Sequence, residues 1–176
     1  DDQPPVWAGS WTPWQREASA EPPGAFFIPR GARLAIELHY RGQDAPAPDS
    51  STVALFFAPP GRWRGLTSVA LTPKSSKTAS GEWLGKAETT LPRGVRVWGV
   101  RLAAPLDPPS LEVTARHPDG TVQVLLWTPG GHAKWPMPFI FADPAELPAG
   151  TVLSVTTAGT QAQSAVRTIL TLQNVN

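Results

Sequence analysis

Apolar and polar residues alternate along much of the chain, and this alternation predicts β-strands. In RLAIELHY, residues 33–40, every second side chain is apolar, which is typical of a strand with one buried face. TVALFFA, residues 52–58, is apolar on both faces and ends at a Pro-Pro-Gly turn. Further strands are predicted at residues 63–71, 95–102, 111–116, 121–127, 151–157 and 165–172.

The spacing of these strands predicts the fold class. Turn sequences recur about every 8–12 residues, HPDG at 117–120 is typical of a tight hairpin turn, and no segment has a helical period. We therefore expect an all-β protein, an antiparallel β-sandwich of jelly-roll type. Residues 1–32, rich in Pro and Trp, are predicted to be an extended N-terminal arm, and residues 33–176 a single sandwich domain. The polar segment 72–82 is interpreted as a solvent-exposed loop.

The N-terminal arm contains three of the eight tryptophans, Trp7, Trp11 and Trp14. An arm of this composition cannot bury three indoles against itself. Either it folds back over its own sheet or it docks onto a partner protein, where Trp is a favoured anchor. We favour packing on its own domain for Trp14 and a partner for Trp7. The remaining tryptophans are expected in core or rim packing.

Composition excludes several classes of function. There are 15 Lys and Arg against 14 Asp and Glu, a formal net charge of +1, so the sequence has no electrostatic footprint for nucleic acid. The absence of cysteine excludes disulfides, thiolate metal sites and thiol nucleophiles. No apolar run approaches the roughly 18 residues of a membrane span, so we expect a peripheral rather than a spanning protein. The chain opens on Asp-Asp-Gln without Met, and we expect a removed signal peptide, anchor or precursor segment, or a trimmed chain.

Three segments together resemble the copper type II, ascorbate-dependent monooxygenases, the family of peptidylglycine hydroxylating monooxygenase. They are IPRGARLAIELHY (28–40), VWGVRLAAPLDPPSLEVTARHPDGTVQVLLWTP (97–129) and WPMPFIFADPAELPAGTVLSVTT (135–157). The resemblance implies a jelly-roll β-sandwich. It also implies a periplasmic or extracellular location, because bacterial relatives act outside the cytoplasm.

The copper ligands that the resemblance implies are missing. Where the family has a His-x-His pair, this chain has Ala103, Ala104 and Pro105, which cannot ligate copper, and the only methionine, Met137, lies upstream of the family's Met position. His39 matches the family's HY histidine, and His132 lies on a glycine-rich loop. We interpret both as structural. The alternative, a facing His39–His132 pair that binds adventitious metal, stays open.

The sequence therefore predicts a degenerate, non-catalytic relative of this family with no cofactor. We expect a structural or assembly subunit on the outer side of a larger photosynthetic or respiratory membrane complex, associated with the membrane through its protein partners or through a removed N-terminal segment. One alternative is a copper monooxygenase domain or fragment whose ligands are supplied elsewhere. A second is a ligand- or carbohydrate-binding sandwich with Trp63, Trp83 or Trp135 as stacking platforms.

Overall fold

The structure, a computed structural model, describes residues 7–10, 24–38, 48, 50–60, 63–103, 110–130, 138–159 and 166–175. Throughout these residues the regular structure is β-strand, with no helix. The strands are β1 (Gly24–Ala25), β2 (Arg64–Leu71), β3 (Lys74–Lys77), β4 (Trp83–Thr90), β5 (Val95–Ala103), β6 (Ser110–Arg116), β7 (Val122–Thr128), β8 (Pro138–Leu147), β9 (Val152–Gly159) and β10 (Arg167–Asn174).

The strands form two five-stranded sheets. The first sheet has the order β1-β2-β10-β5-β8 and the second the order β3-β4-β9-β6-β7. All pairs are antiparallel except β1 with β2, which is parallel. After β4 each strand lies in the opposite sheet to the strand before it, with one exception. The exception is β7, which follows β6 and pairs with it in the second sheet. Without the short strands β1 and β3, this is the eight-stranded jelly-roll order, so the predicted fold class is confirmed.

One hydrophobic core lies between the two sheets. It is formed by alternate side chains of the central strands, which is the pattern expected when each sheet buries one face. The members with no more than 1% exposure include Val97, Val100, Leu111, Val113, Leu153, Val155 and Leu170. The outward positions of β4 and β6 are mostly polar, and Lys86 and Glu88 form an ion pair there.

A β-bulge at Trp98 changes which residues of β5 face the core. Opposite β10, Val97 pairs with Leu172 and Gly99 with Thr171, so Trp98 is the extra residue. Val95 and Val97 point into the core before the bulge, and Val100 and Leu102 do so after it. The bulge shifts the in–out alternation of side chains by one residue, so β5 buries apolar side chains in the core both before and after Trp98. It also directs Trp98 and Arg101 to the outer face of the first sheet.

The predicted hairpin turn HPDG joins β6 to β7. The Gly120 N–H donates to the His117 carbonyl (3.0 Å) and the His117 N–H to the Thr121 carbonyl (2.8 Å). Gly120 has a φ of 89°, a left-handed conformation that favours glycine. The strand that follows, β7, is an edge of the second sheet, contains no charged residue and exposes Trp127 by 62%.

Two predicted strands are wrong. Residues 33–38 of the segment 33–40, and all of 52–58, form no strand, while His39 and Tyr40 lie outside the described residues. The alternation of apolar and polar residues indicates which face a strand would bury, but it does not provide a neighbouring strand to pair with. Both sheets are formed by other segments. The side chains of Leu34, Ile36 and Leu38 consequently stay about half exposed.

Several strands were missed. The segment 72–82, interpreted as a loop, contains β3, a four-residue edge strand with lysine at both ends. Neither β4 nor β8 was predicted, since Gly85, Lys86 and Glu88 weaken the apolar pattern of β4, and β8 begins at one proline and contains another. Within the predicted arm, Gly24–Ala25 form β1 beside β2.

Candidate functional site

Two stretches that lie mostly outside the sheets expose large apolar side chains. Phe27 is 72% exposed in the first stretch, residues 24–38, while Phe56 and Phe57 are 96% and 79% exposed in the second, residues 50–60. Beside them the aliphatic residues Ile28, Leu34, Ile36, Leu38, Val53 and Leu55 are each about half exposed. We call these side chains together the apolar stretches. Isolated exposed apolar residues are normal in soluble proteins, but nine within about thirty residues are typical of a binding surface.

A second feature is a hollow on the outer face of the first sheet. Its floor is formed by Trp98 and Arg101 of β5 with Leu66 of β2, and Ile140 of β8 lies at its side. The N-terminal segment, residues 7–9, and Phe26 close it from above. We call this site the Arg101 hollow. It encloses about 40 Å³ of free space and opens on one side to solvent.

Trp7 holds the N-terminal segment on this face. Its ring lies 5.3 Å from Cζ of Arg101, in cation–π geometry. The same ring meets Phe26 edge to face, with centroids 6.0 Å apart. The Trp7 indole N–H donates to Oγ of Ser10 (2.8 Å). The segment thus folds back on its own sheet at Trp7, and contact of Trp7 with a partner stays a prediction.

Three buried side-chain donors lie at the Arg101 hollow or beside it. Nε1 of Trp98, Nε of Arg101 and Nε2 of Gln173 are buried and have no hydrogen-bond partner. Trp98 and Arg101 line the hollow, and Gln173 lies on the same outer face, opposite Arg96. Buried donors without partners are rare in folded proteins, so a group of three calls for an acceptor from elsewhere, either water or a ligand.

Positive charge is concentrated at the same place. Burial lowers the pKa of Arg101 below its ordinary value, and repulsion from Arg167 lowers this pKa further. Arg167 faces the same side of the sheet, two positions along β10 from Ile169, which pairs with Arg101. Within the described part of the chain, no carboxylate forms an ion pair with either arginine. By contrast Arg96, also on this face, is paired with Glu146 (Nη2 to Oε1, 2.6 Å).

Most residues singled out from the sequence are not brought together. Trp11, Trp14, His39 and His132 lie outside the described residues, as do Ala104, Pro105 and Met137. His117 is in the turn before β7, with Nε2 3.3 Å from Oε1 of Gln123. Among the residues that the structure describes, no group of three or more potential metal ligands occurs.

The tryptophans considered as stacking platforms are also separated. Trp63 precedes β2 in the first sheet, whereas Trp83 begins β4 in the second, and Trp135 lies outside the described residues. Trp63 and Trp83 therefore do not lie on one sheet face. The Arg101 hollow was missed from the sequence, although the phase break at Trp98-Gly99 signals a bulge.

No protein-family model matches the sequence, and no curated protein shows significant similarity to it. The described residues also include no helix with the length and apolar character needed to cross a membrane.

Proposed function

We propose that this chain is a non-catalytic structural subunit that works outside the cytoplasm, bound to the outer side of a larger photosynthetic or respiratory membrane complex. It is proposed to descend from the copper monooxygenase sandwich and to have kept the scaffold without the metal chemistry. Its partners are other protein subunits, and it reaches the membrane through them or through an N-terminal segment.

The exposure of the apolar stretches carries this proposal. The three phenylalanines present on the order of 500 Å² of aromatic surface, and the six aliphatic residues raise the total to roughly the 800 Å² that one partner buries in a standard interface. Leaving this surface in water is unfavourable at about 25 cal/mol per Å². A partner that covers it supplies the apolar environment that the chain itself does not.

A protein partner is favoured over lipid by the backbone of these stretches. Residues 33–36 and 52–59 belong to no sheet. In hydrocarbon, peptide groups outside a helix or closed sheet would lose water without gaining partners, at a cost of several kcal/mol each. A protein with a free strand edge pairs these groups while it buries the side chains.

The test is a gentle detergent extraction from the native source with affinity-tagged chain, followed by identification and quantification of co-purifying proteins and metal analysis of the same sample. The wild-type chain is expected to carry membrane proteins in fixed stoichiometry, without copper. The double variant Phe56→Ser/Phe57→Ser is expected to lose them and to remain folded.

Leu84→Ser is the matched control, because Leu84 is an exposed apolar residue on β4 of the second sheet, away from the stretches. It should retain the partners. A chain that purifies alone and loaded with copper would overturn the proposal and favour the monooxygenase alternative.

A further inference from the structure

We propose that the Arg101 hollow is a recognition site for an acidic side chain, Asp or Glu, of the protein partner. This inference rests on the proposed function, and it specifies one contact of that interface. The hollow lies on the outer face of the first sheet and is lined by none of the nine side chains of the apolar stretches, so the two parts of the interface can be tested separately.

The first step of the argument is the unbalanced charge. A guanidinium stays protonated in proteins, so Arg101 keeps its charge although it is half-buried. Its only described electrostatic partner is the ring of Trp7. The neighbouring charge, Arg167, has the same sign. A negative group placed here would interact favourably with both arginines at once.

The second step is the hydrogen-bonding character of the hollow. Nε1 of Trp98 and Nε of Arg101 are donors and lack acceptors. An ionised carboxylate only accepts hydrogen bonds, so it suits a site whose buried side-chain polar atoms are donors. Its two oxygens match the planar donor fork of arginine. The free space of about 40 Å³ accommodates a carboxylate but not a drug-sized molecule, so the body of the ligand must lie outside.

The third step concerns the apolar residues around the hollow. Phe139 and Ile140 of β8 are exposed apolar residues beside the hollow, and Trp7 and Phe26 cover it. Arginine and tryptophan in an apolar, water-excluding rim are typical of the residues that dominate binding at protein interfaces. Arg96 provides an internal comparison. On the same face it is already neutralised by Glu146, whereas Arg101 has no such described partner.

The test uses the chain in its native complex. In the variant Arg101→Lys, a primary amine replaces the guanidinium, and a carbodiimide then joins that amine directly to any carboxylate in contact with it. Mass spectrometry is expected to find residue 101 linked to an Asp or Glu of the partner. Arg116→Lys, at the exposed end of β6 on the second sheet, is the matched control and should give no such link.

A second variant, Arg101→Gln, removes the charge. It is expected to weaken retention of the partner at least about tenfold, while the free chain stays folded and its thermal midpoint falls only by the loss of the Trp7 contact. An intact Arg101→Lys complex without a link at residue 101, or wild-type retention by Arg101→Gln, would overturn the inference and leave the proposed function standing. A wild-type chain that purifies alone would instead remove the proposed function.

Anionic lipid is the competing source of negative charge. The isolated chain is therefore mixed with vesicles of phosphatidylserine and, separately, of phosphatidylcholine. No difference between the two is expected. Binding to phosphatidylserine vesicles that disappears in Arg101→Gln would reassign the hollow to a lipid headgroup and overturn the inference.

Discussion

The backbone of Gly99 lies directly against that of Phe139. A Cβ atom on Gly99 would stand 2.5 Å from the carbonyl oxygen of Phe139, closer than real Cβ atoms approach. The contact joins β5 to β8 beside the Trp98 bulge, where Gly99 pairs with Ile140. Since the obstructing atom belongs to paired backbone, it cannot move away without loosening the two strands.

The variant Gly99→Ala is therefore expected to lower the free energy of unfolding by about 1–3 kcal/mol, the usual cost of overpacking a tight site. Chemical denaturation followed by tryptophan fluorescence measures this. Gly65→Ala in β2 is the control, because a Cβ atom there meets nothing within 4 Å. Equal stability of the two variants would show that β5 and β8 are not in close contact in solution.

Truncation of two large apolar residues should have opposite consequences. Leu170 of β10 is fully buried in the core, and Leu170→Ala is expected to cost about 2–5 kcal/mol of unfolding free energy. Phe56 is almost fully exposed, so Phe56→Ala should change the stability of the free chain by less than about 0.5 kcal/mol. A comparable loss at Phe56, measured by thermal denaturation, would mean that the second apolar stretch packs on the sandwich after all.

Trp7 is expected to stabilise the free chain although it lies far from the core in sequence. Trp7→Ala removes the Arg101 contact and the edge-to-face pair with Phe26, each worth about 0.5–1.5 kcal/mol. We expect a loss of about 1–2 kcal/mol in unfolding free energy. Trp63→Ala, at a more exposed indole, serves as the comparison and should lose less.

The turn before β7 should be sensitive to acid. The backbone N–H of Thr121 donates to Oδ1 of Asp119 (2.9 Å) and lowers the pKa of this carboxyl below the ordinary aspartate value, and the Thr121 hydroxyl and His117 lower this pKa further. A lowered folded-state pKa stabilises the fold above the unfolded-state pKa, and this contribution disappears as pH falls through the folded-state pKa.

In an NMR titration, the Asp119 carboxyl resonance should have its midpoint below the ordinary aspartate pKa of 3.8, and the Thr121 amide resonance should shift in the same pH range. The amide shift should be absent in Asp119→Ala. A midpoint at or above 3.8 would show that the hydrogen bond does not persist in solution.

The pattern of apolar residues in the sequence predicted the strands that contribute most of the core. β5, β6, β9 and β10 contain runs of apolar residues whose alternation reflects one buried face, and the glycine of HPDG marks a turn that requires a positive φ. The same pattern predicted strands at residues 33–40 and 52–58, but residues 33–38 and 52–58 pair with no strand in the described part of the chain. Strand pairing is a long-range property, and a period of two carries no information about it.

The Arg101 hollow could not be predicted in the same way. It requires the bulge at Trp98, the register between β5 and β10 that places Arg167 near Arg101, and a segment more than ninety residues earlier that folds over Arg101. Each arginine alone resembles an ordinary surface residue in the sequence. Only their common face and the lack of a described acidic neighbour make them distinctive.

The central position of β10 determines when the protein can fold during its synthesis. β10 lies between β2 and β5, although it is the last described strand to leave the ribosome. Until about residue 174 has emerged, β2 and β5 lack the strand that pairs with both of them, and Leu170 and Leu172 are missing from the core. The nascent chain therefore cannot complete the first sheet and the core until β10 has been translated.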